Sequence, residues 1–174
     1  MDSRLLYLAL GSFAGNVEGA LIVVVLPAIA IETGVSIAQA GLLVFCYSIA
    51  YGFGTPMLST LFGGVDRRTV VAGGELAFGI AALLMGLLPG YILLLVVRTF
   101  LACGAGMFTS TAVATAVAIA EPGKRGKAMS TVMLGATLGV AAGVPLAALI
   151  ANLYGWRVAY IGIGLLGIAA AITL

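Results

Sequence analysis

Glu18 and Arg98 are ionisable residues that stand inside long apolar stretches of this chain. Glu18 occurs in FAGNVEGALIVVVLP and Arg98 in LLVVRTFLACG. An ionisable side chain inside a bilayer is costly and usually functional. A carboxyl group in such a place can bind and release a proton, and a nearby guanidinium alters how readily it does so. The two residues therefore predict either proton or substrate coupling, or a permanent structural ion pair, or two groups that never meet.

The composition indicates that the solvent around this chain is a lipid bilayer. Of its 174 residues, 63% are hydrophobic and 8% are charged, whereas a soluble domain carries about 25% charged residues. No histidine is present, which excludes a histidine metal site. No catalytic triad, metal cluster or phosphate-binding loop is evident, so we expect no enzyme, metal or cofactor. The basic residues are split among short loops, which argues against a nucleic-acid partner.

Charged and turn-forming residues divide the chain into six apolar segments. Each is long enough to cross a hydrocarbon core, which requires about 20 residues of helix. The sequence thus predicts one all-α membrane domain over residues 1–174. Its helices are expected at about 5–31, 40–62, 70–88, 91–119, 128–151 and 157–174.

The distribution of lysine and arginine predicts the orientation. Cytoplasmic loops carry an excess of these residues. One side of the predicted bundle would hold six of them and the other only Arg157. Both termini are therefore expected in the cytoplasm of a multi-pass protein of the cell membrane. The six residues are Arg4, Arg67, Arg68, Lys124, Arg125 and Lys127.

An internal repeat relates the two halves of the chain. An offset of 89 residues places GTPML (54–58) on GVPLA (143–147), and the same offset places Arg68 on Arg157. Two copies of three spans each have opposite orientations in the membrane. Inverted three-helix repeats of this kind are a transporter architecture.

The chain resembles the N-terminal six-helix half of a major facilitator superfamily transporter. The most similar branch is that of the drug:proton antiporters, which includes the sugar and nucleoside efflux permeases. The resemblance rests on LPAIAIETGVSIAQAGLLVFCYSIAYGFGTPML, LLVVRTFLACGAGMF, KRGKAMS and GATLGVAAGVPLA followed by GWRVAY. Leu101 and Ala102 stand where that branch usually has glutamine and glycine.

The resemblance implies roles for several residues. Glu18 would be the proton-titrating carboxylate and Arg98 its partner, both on helices that line a central cavity. Counted along the helices at 1.5 Å per residue, Glu18 lies about 20 Å from the cytoplasmic edge and Arg98 about 10 Å from the outer edge, so the depths coincide. Asn16, expected in the same cavity-facing region, would either bind substrate or bond another helix. Tyr47 and Tyr51 would face either the cavity or lipid.

GATLGVAAGVPLA carries glycines four residues apart and then a proline. Such glycines share one helix face and allow close approach of another backbone. The proline leaves a carbonyl without its helical donor and permits a bend. The resemblance further associates this motif with exporters and with the interface between transporter halves. The motif comprises Gly135, Gly139, Gly143 and Pro145.

Three further expectations concern the ends of the helices. Asp66, Arg67 and Arg68 resemble a cytoplasmic loop that latches the two transporter halves, although Gly63 and Gly64 replace its usual acid and arginine. The alternative is a loop whose basic residues only set the orientation of the helices. Glu75 would reach the headgroups or pair with a basic loop residue, and so either anchor its helix or serve as part of a gate. Three aromatic residues, Tyr91, Tyr154 and Trp156, would anchor the outer interface.

The predicted function is half of a proton-coupled exporter of small organic molecules that works by alternating access. The alternatives are an uncoupled facilitator and a non-transporting scaffold or excised folding unit. A transporter of this kind has two six-helix halves. We therefore expect either a homodimer or a missing C-terminal half. In the homodimer, the glycine face of the fifth helix and Gly52, Gly54 and Pro56 would form the contact.

Overall fold

The computed structural model describes residues 3–173 of the chain. Its elements, in chain order, are α1 (Ser3–Thr33), α2 (Ile37–Leu61), α3 (Arg67–Leu87), α4 (Tyr91–Ile119), α5 (Arg125–Leu138), a π-helical turn (Gly139–Gly143), α6 (Val144–Tyr154) and α7 (Trp156–Thr173). Six helices are long and apolar enough to cross a membrane, with α5, the π turn and α6 forming one span, Arg125–Tyr154. The prediction of an all-α protein with six spans is confirmed. Leu174, the predicted end of the last helix, lies outside the described residues.

Local sequence signals set the ends of these helices. Ser36 and Gln39 form a reciprocal capping box at the start of α2, which satisfies two backbone N–H groups that the first turn leaves free. Asp66 caps α3 by accepting a hydrogen bond from the backbone N–H of Arg68. The turns before α4 and α7 contain Gly90 and Gly155 at φ values of 89° and 94°, which favour glycine because it lacks a Cβ. These signals limit the turns to a few residues, so consecutive spans run antiparallel.

The pattern of helix neighbours has the symmetry that two inverted repeats require. Helix α3 packs on α4 and α7, α1 packs on α5 and α7, and α2 packs on α4. Exchanging α1 with α4, α2 with the α5–α6 span, and α3 with α7 leaves this set of neighbours unchanged. The bundle thus consists of two three-helix units in opposite orientations.

Glycines allow the central helices to approach closely. A Cβ added to Gly104 on α4 would lie 2.6 Å from the backbone nitrogen of Phe78 on α3. A Cβ added to Gly164 on α7 would lie 2.6 Å from the backbone nitrogen of Leu83 on α3. Small residues of this kind are how membrane helices gain packing contacts without a hydrophobic driving force.

The glycine face of α5 packs inside the chain, which corrects the predicted dimer contact. A Cβ on Gly135 would collide with the backbone of Ala9, and one on Gly139 would lie 2.6 Å from the carbonyl oxygen of Phe13. Gly143 meets the side chains of Phe13 and Val17. All three contacts are with α1, so this face cannot also meet a second copy.

The π turn explains how the span continues through Pro145. The backbone N–H of Val144 donates to the carbonyl oxygen of Gly139, five residues earlier. Pro145 has no N–H to donate and would interrupt a regular helix. A π turn inserted just before it widens the helix locally, and such turns are frequent at functional sites.

Candidate functional site

Glu18 and Arg98 form a buried ion pair at the centre of the bundle. Arg98 Nη1 donates to Glu18 Oε1, and the side chains are 1% and 0% exposed. The hydroxyl of Tyr160 on α7 lies 3.2 Å from both Arg98 Nη1 and Glu18 Oε1. Three helices, α1, α4 and α7, thus contribute one group each. Because each group satisfies another, charges that would be costly in the membrane interior are tolerated there.

The pair retains unused hydrogen-bonding capacity. Glu18 Oε2 and Arg98 Nε have no partner among the described residues. A buried polar atom without a partner costs free energy, so the arrangement favours a rearrangement or a water that satisfies it. The pair is therefore better suited to change its bonding than a fully satisfied ion pair would be.

Tyr47 of α2 covers the pair. Arg98 Cζ lies 4.6 Å from the centroid of the Tyr47 ring, which is within the range of a cation–π interaction. Tyr47 stacks on Tyr51 one turn later, with ring centroids 5.8 Å apart and an interplanar angle of 16°. The two rings thus form a wall between the ion pair and the space beyond.

That space is an open cavity of about 540 Å³ lined by residues of α1, α2, α3, α4 and α5. Its size is within the range of about 300–1,000 Å³ that is usual for sites that bind small molecules. It runs from the middle of the spans toward the end of the bundle that holds the α2–α3 and α4–α5 loops. The polar side chains of its wall are Ser12, Asn16, Tyr47, Tyr51, Glu75 and Thr109.

Glu18 and Arg98 do not line this cavity, which corrects the expectation that Glu18 shares a face with Asn16. Two residues apart on a helix, they point in nearly opposite directions because each residue advances by about 100°. Asn16 is exposed to the cavity and donates its side-chain N–H to the carbonyl oxygen of Ser12. Glu18 faces the core behind the two tyrosines.

Glu75 lies in the wall of the cavity, not near the headgroups as the sequence predicted. It was expected to reach the headgroups, but it is 1% exposed and lines the cavity. Its carboxyl lies opposite Gly11 of α1, where a Cβ would come within 2.9 Å of Glu75 Cδ. Because Gly11 has no side chain, there is room for the carboxyl of Glu75. The depth of Glu75 along α3 does not reveal which residue of another helix lies opposite it.

A second charged cluster closes the end of the bundle opposite the cavity. Arg157 Nε donates to Glu32 Oε1 at 2.7 Å, and Trp156 Nε1 donates to Glu32 Oε2 at 2.6 Å. Arg157 Nη1 also donates to the carbonyl oxygen of Leu88 at 2.8 Å. The cluster joins α1, α3 and α7. Trp156 is buried rather than an interfacial anchor as predicted, because its ring packs into the core of the bundle, edge-on to Tyr160.

The predicted latch residues Asp66, Arg67 and Arg68 lie at the end of the bundle toward which the cavity runs. All three are exposed, and Asp66 is engaged as the cap of α3. In the neighbouring α4–α5 loop, Lys124 donates to Glu121 at 2.6 Å, and this hydrogen bond lowers the pKa of Glu121. Both loops therefore present charge at one end of the molecule.

Comparison with known proteins identifies the family. The model of the Major Facilitator Superfamily matches residues 8–174. The chain belongs to the Major Facilitator Superfamily. Membership and the six apolar spans make it a multi-pass membrane protein.

Relatives of this superfamily match nearly the whole chain. The uncharacterized MFS-type transporter YbcL of Bacillus subtilis is 34% identical over 171 residues, which is 98% of this chain and 44% of YbcL. The chloramphenicol resistance protein of Streptomyces lividans is 28% identical over 145 residues, covering 83% of this chain and 37% of that protein. This chain therefore spans less than half the length of the curated relatives it matches.

A solved superfamily structure has the same fold. It is a bacterial homolog of the human lysosomal transporter Spinster, in an inward-facing and unoccupied conformation. The TM-score is 0.80 at 21% identity, over 98% of this chain and 41% of that one. The predicted resemblance to the superfamily is confirmed, and so is the half-transporter fold that it implied.

Proposed function

We propose that this chain is half of a proton-coupled secondary transporter that exports small organic molecules by alternating access. The observation that carries the proposal is the buried Glu18–Arg98–Tyr160 cluster, separated by Tyr47 from a cavity of small-molecule size. The transporter names of the relatives support transport rather than catalysis, and the name of the Streptomyces lividans protein favours efflux.

Proton binding at Glu18 would change the charge of the buried cluster. With Glu18 ionised, the cluster is neutral overall. With Glu18 protonated, Arg98 becomes an unpaired cation in a low-dielectric interior, which is strongly unfavourable. The guanidinium then gains by moving past Tyr47 toward the polar wall of the cavity. A movement of Arg98 past Tyr47 would alter the contact between α4 and α2 and so couple protonation to the rocking of the two halves that alternating access requires.

The charged groups at the two ends of the bundle favour a transporter that opens and closes at the cavity end while the opposite end of this half stays together. Glu32, Trp156 and Arg157 hold α1, α3 and α7 together at the end opposite the cavity. The latch loop with Asp66, Arg67 and Arg68 lies at the cavity end and would meet the second half when that end closes. Gly135, Gly139, Gly143 and Pro145, with the π turn, would let α5 and α6 rock against α1.

A second half is needed to complete the cavity. The outward face of α2 is largely exposed, including Phe53 at 78% and Met57 at 64%. In a full transporter such a face meets the other half, and substrate binds between the two. That half is either a second copy of this chain or a C-terminal half. Substrate, protons and lipid are the remaining partners in this proposal.

We propose that both termini lie on the cytoplasmic side of the cell membrane, because the basic residues are in excess at that end of the bundle. Cysteine labelling tests it in a background with Cys46→Ser and Cys103→Ala. Gly123→Cys should react with an impermeant maleimide only in inside-out vesicles, and Ser36→Cys only in intact cells. Labelling of Gly123→Cys from outside intact cells would contradict the orientation.

Flux into proteoliposomes with an acidic lumen tests the transport proposal. The wild-type chain should accumulate chloramphenicol or tetraphenylphosphonium when the gradient is applied, with the membrane potential clamped, and a protonophore should abolish the accumulation. Glu18→Gln keeps the shape of the side chain but cannot carry the proton. It should therefore lose gradient-driven accumulation while eluting as a folded protein.

Two outcomes would count against the proposal. If the folded wild-type chain forms dimers and yet moves neither probe, the scaffold alternative is favoured, whereas a monomer that moves neither probe points to a separate second half. If Glu18→Gln accumulates the probes with unchanged pH dependence, Glu18 is not the coupling group. Single-molecule photobleaching in the same vesicles would count the copies in an active unit and so decide between a homodimer and a separate second half.

A further inference from the structure

Tyr160 on α7 carries a buried hydroxyl group that lies between the two charges of the Glu18–Arg98 pair. Its side chain is 0% exposed, and the hydroxyl is 3.2 Å from both Arg98 Nη1 and Glu18 Oε1. Arginine offers only donors and an ionised carboxylate only acceptors, whereas a tyrosine hydroxyl can both donate and accept. The hydroxyl therefore accepts a hydrogen bond from Arg98 and donates one to Glu18.

The packing around its ring leaves Tyr160 little freedom to move. Trp156 lies one turn earlier on the same face of α7, and the two rings meet almost at a right angle, with centroids 5.9 Å apart and an interplanar angle of 85°. Edge-to-face contacts of this kind are a favoured arrangement of aromatic rings. Trp156 is fixed in turn by the hydrogen bond of 2.6 Å from its Nε1 to Glu32 Oε2. The hydroxyl is thus presented at a defined place.

The two partners of Glu18 differ in how firmly their helices are joined to α1, which carries Glu18. Helix α7 packs extensively on α1, and the hydrogen bond from Trp156 to Glu32 joins the same two helices. Helix α4, which carries Arg98, packs much less on α1. A shift of α4 would therefore move Arg98 away from Glu18 while Tyr160 stayed beside it.

The two oxygens of the Glu18 carboxyl differ in their hydrogen bonds. Oε1 accepts from Arg98 and Tyr160, whereas Oε2 has no partner among the described residues. A proton can therefore bind to Oε2 without displacing either donor. Oε1 then becomes the carbonyl oxygen and can keep the hydrogen bond from Tyr160. Tyr47 of α2 covers Arg98, and the α5–α6 span has its ionisable side chains near its two ends.

We propose that Tyr160 is the positioning residue of the Glu18–Arg98 pair. Its hydroxyl holds Glu18 Oε1 whether Glu18 is ionised or protonated, so that the proton binds at Oε2 and Arg98 alone is released. Proton binding forms one O–H bond at Oε2, and no other covalent bond changes. This inference rests on the proposed function in one respect, that Glu18 binds and releases a proton.

Infrared difference spectra of the full chain in detergent test the inference. The spectra compare acidic pH with mildly alkaline pH, below the range near pH 10 in which exposed tyrosines ionise. The C=O band of protonated Glu18 is the band that Glu18→Gln lacks. Tyr160→Phe keeps the ring in the core but removes the hydroxyl, so the carbonyl loses its donor and this band should shift to higher frequency.

Tyr154→Phe is the matched control, because it removes a hydroxyl from a tyrosine that is 72% exposed at the end of α6. The Glu18 band should stay at its wild-type frequency in this variant. A merely structural role of Tyr160 would lower the thermal midpoint and leave the frequency unchanged. An unshifted band in Tyr160→Phe, or an equal shift in Tyr154→Phe, would overturn the inference.

Tyrosine labelled with carbon-13 at the ring carbon that bears the hydroxyl provides a test that needs no variant of Tyr160 to fold. The acceptor of the Tyr160 hydroxyl changes from a carboxylate to a carbonyl when Glu18 is protonated. The labelled wild-type chain should therefore show a tyrosine band in the same difference spectrum, and Glu18→Gln should lack it. A tyrosine band that is absent from the wild-type spectrum, or unchanged in Glu18→Gln, would contradict the positioning role.

The same spectra separate this inference from the proposed function. A Glu18 band that shifts in Tyr160→Phe, in a chain that moves no probe in proteoliposomes, would support the positioning role and contradict transport. Coupled flux with a Glu18 band that is unchanged in Tyr160→Phe would leave transport standing and overturn the positioning role. A wild-type spectrum without a Glu18 band would overturn both Glu18 as the coupling group and the role of Tyr160.

Discussion

Replacing Arg98 with alanine should strongly destabilise the folded chain. The change leaves Glu18, which is 0% exposed, with Tyr160 as its one remaining described partner. Breaking a buried ion pair by removing one member costs about 3–5 kcal/mol, a large part of the total stability of a typical domain. We therefore expect a large fall in the thermal midpoint in detergent, measured by circular dichroism, and no coupled flux.

The double variant Arg98→Ala with Glu18→Gln separates charge from packing. If the uncompensated carboxylate is the cause, removing its charge should restore much of the lost stability, which a double-mutant cycle would show as a large coupling between the two sites. The exposed pair Lys124–Glu121 is the matched control, since exposed ion pairs contribute little. Lys124→Ala should not measurably change the midpoint. A midpoint for Arg98→Ala equal to that of the wild type would contradict the argument.

The sequence was informative about this cluster because depth along a helix can be counted. Glu18 and Arg98 were expected at the same depth on the first helix of each repeat, and the structure joins them in an ion pair. Tyr160 was missed. It lies within GWRVAY, which was singled out only as part of a motif, and which neighbour its hydroxyl meets depends on the rotation of α7.

The depth of a residue along a helix does not say in which direction its side chain points around the helix axis. Asn16 and Glu18 have nearly equal depth but point apart, so one lines the cavity and the other lies in the core. The exposure of Glu75 was predicted from its short distance to the α2–α3 loop. Its burial depends instead on Gly11 of a helix distant in sequence. Counting about 100° of rotation per residue would have placed the side chains of Asn16 and Glu18 on nearly opposite faces of α1.

Pairings between helix ends were likewise invisible in the sequence. Trp156 has the residue type and position of an interfacial anchor, yet its N–H bonds Glu32 across 124 positions of the chain. Glu32 drew no attention because it lies in a loop-like stretch where exposed acids are common. The six spans, in contrast, follow from the apolar pattern and the capping residues, which act locally and can be recognised in the sequence.

Gly135→Leu should destabilise the isolated chain, because the glycine face of α5 packs against α1. Even a Cβ at this position would collide with the backbone of Ala9, and backbone cannot rotate away as a side chain can. Overpacking of a closely packed contact typically costs about 1–3 kcal/mol, and we expect the upper end of that range or more. The thermal midpoint should fall clearly in detergent, where no second half is needed for the effect.

Gly52→Leu is the counterpart that distinguishes packing within the chain from packing between halves. No atom lies within 4 Å of a Cβ at Gly52, which is on the exposed face of α2. The isolated variant should therefore melt like the wild type, yet it should lower flux and the fraction of assembled units counted by photobleaching. If Gly135→Leu instead spared the midpoint and impaired only assembly, the glycine face would be the contact between halves, as the sequence had first suggested. The contrast works because a bulky residue destabilises whichever contact it enters, and the two glycines lie on faces with different neighbours.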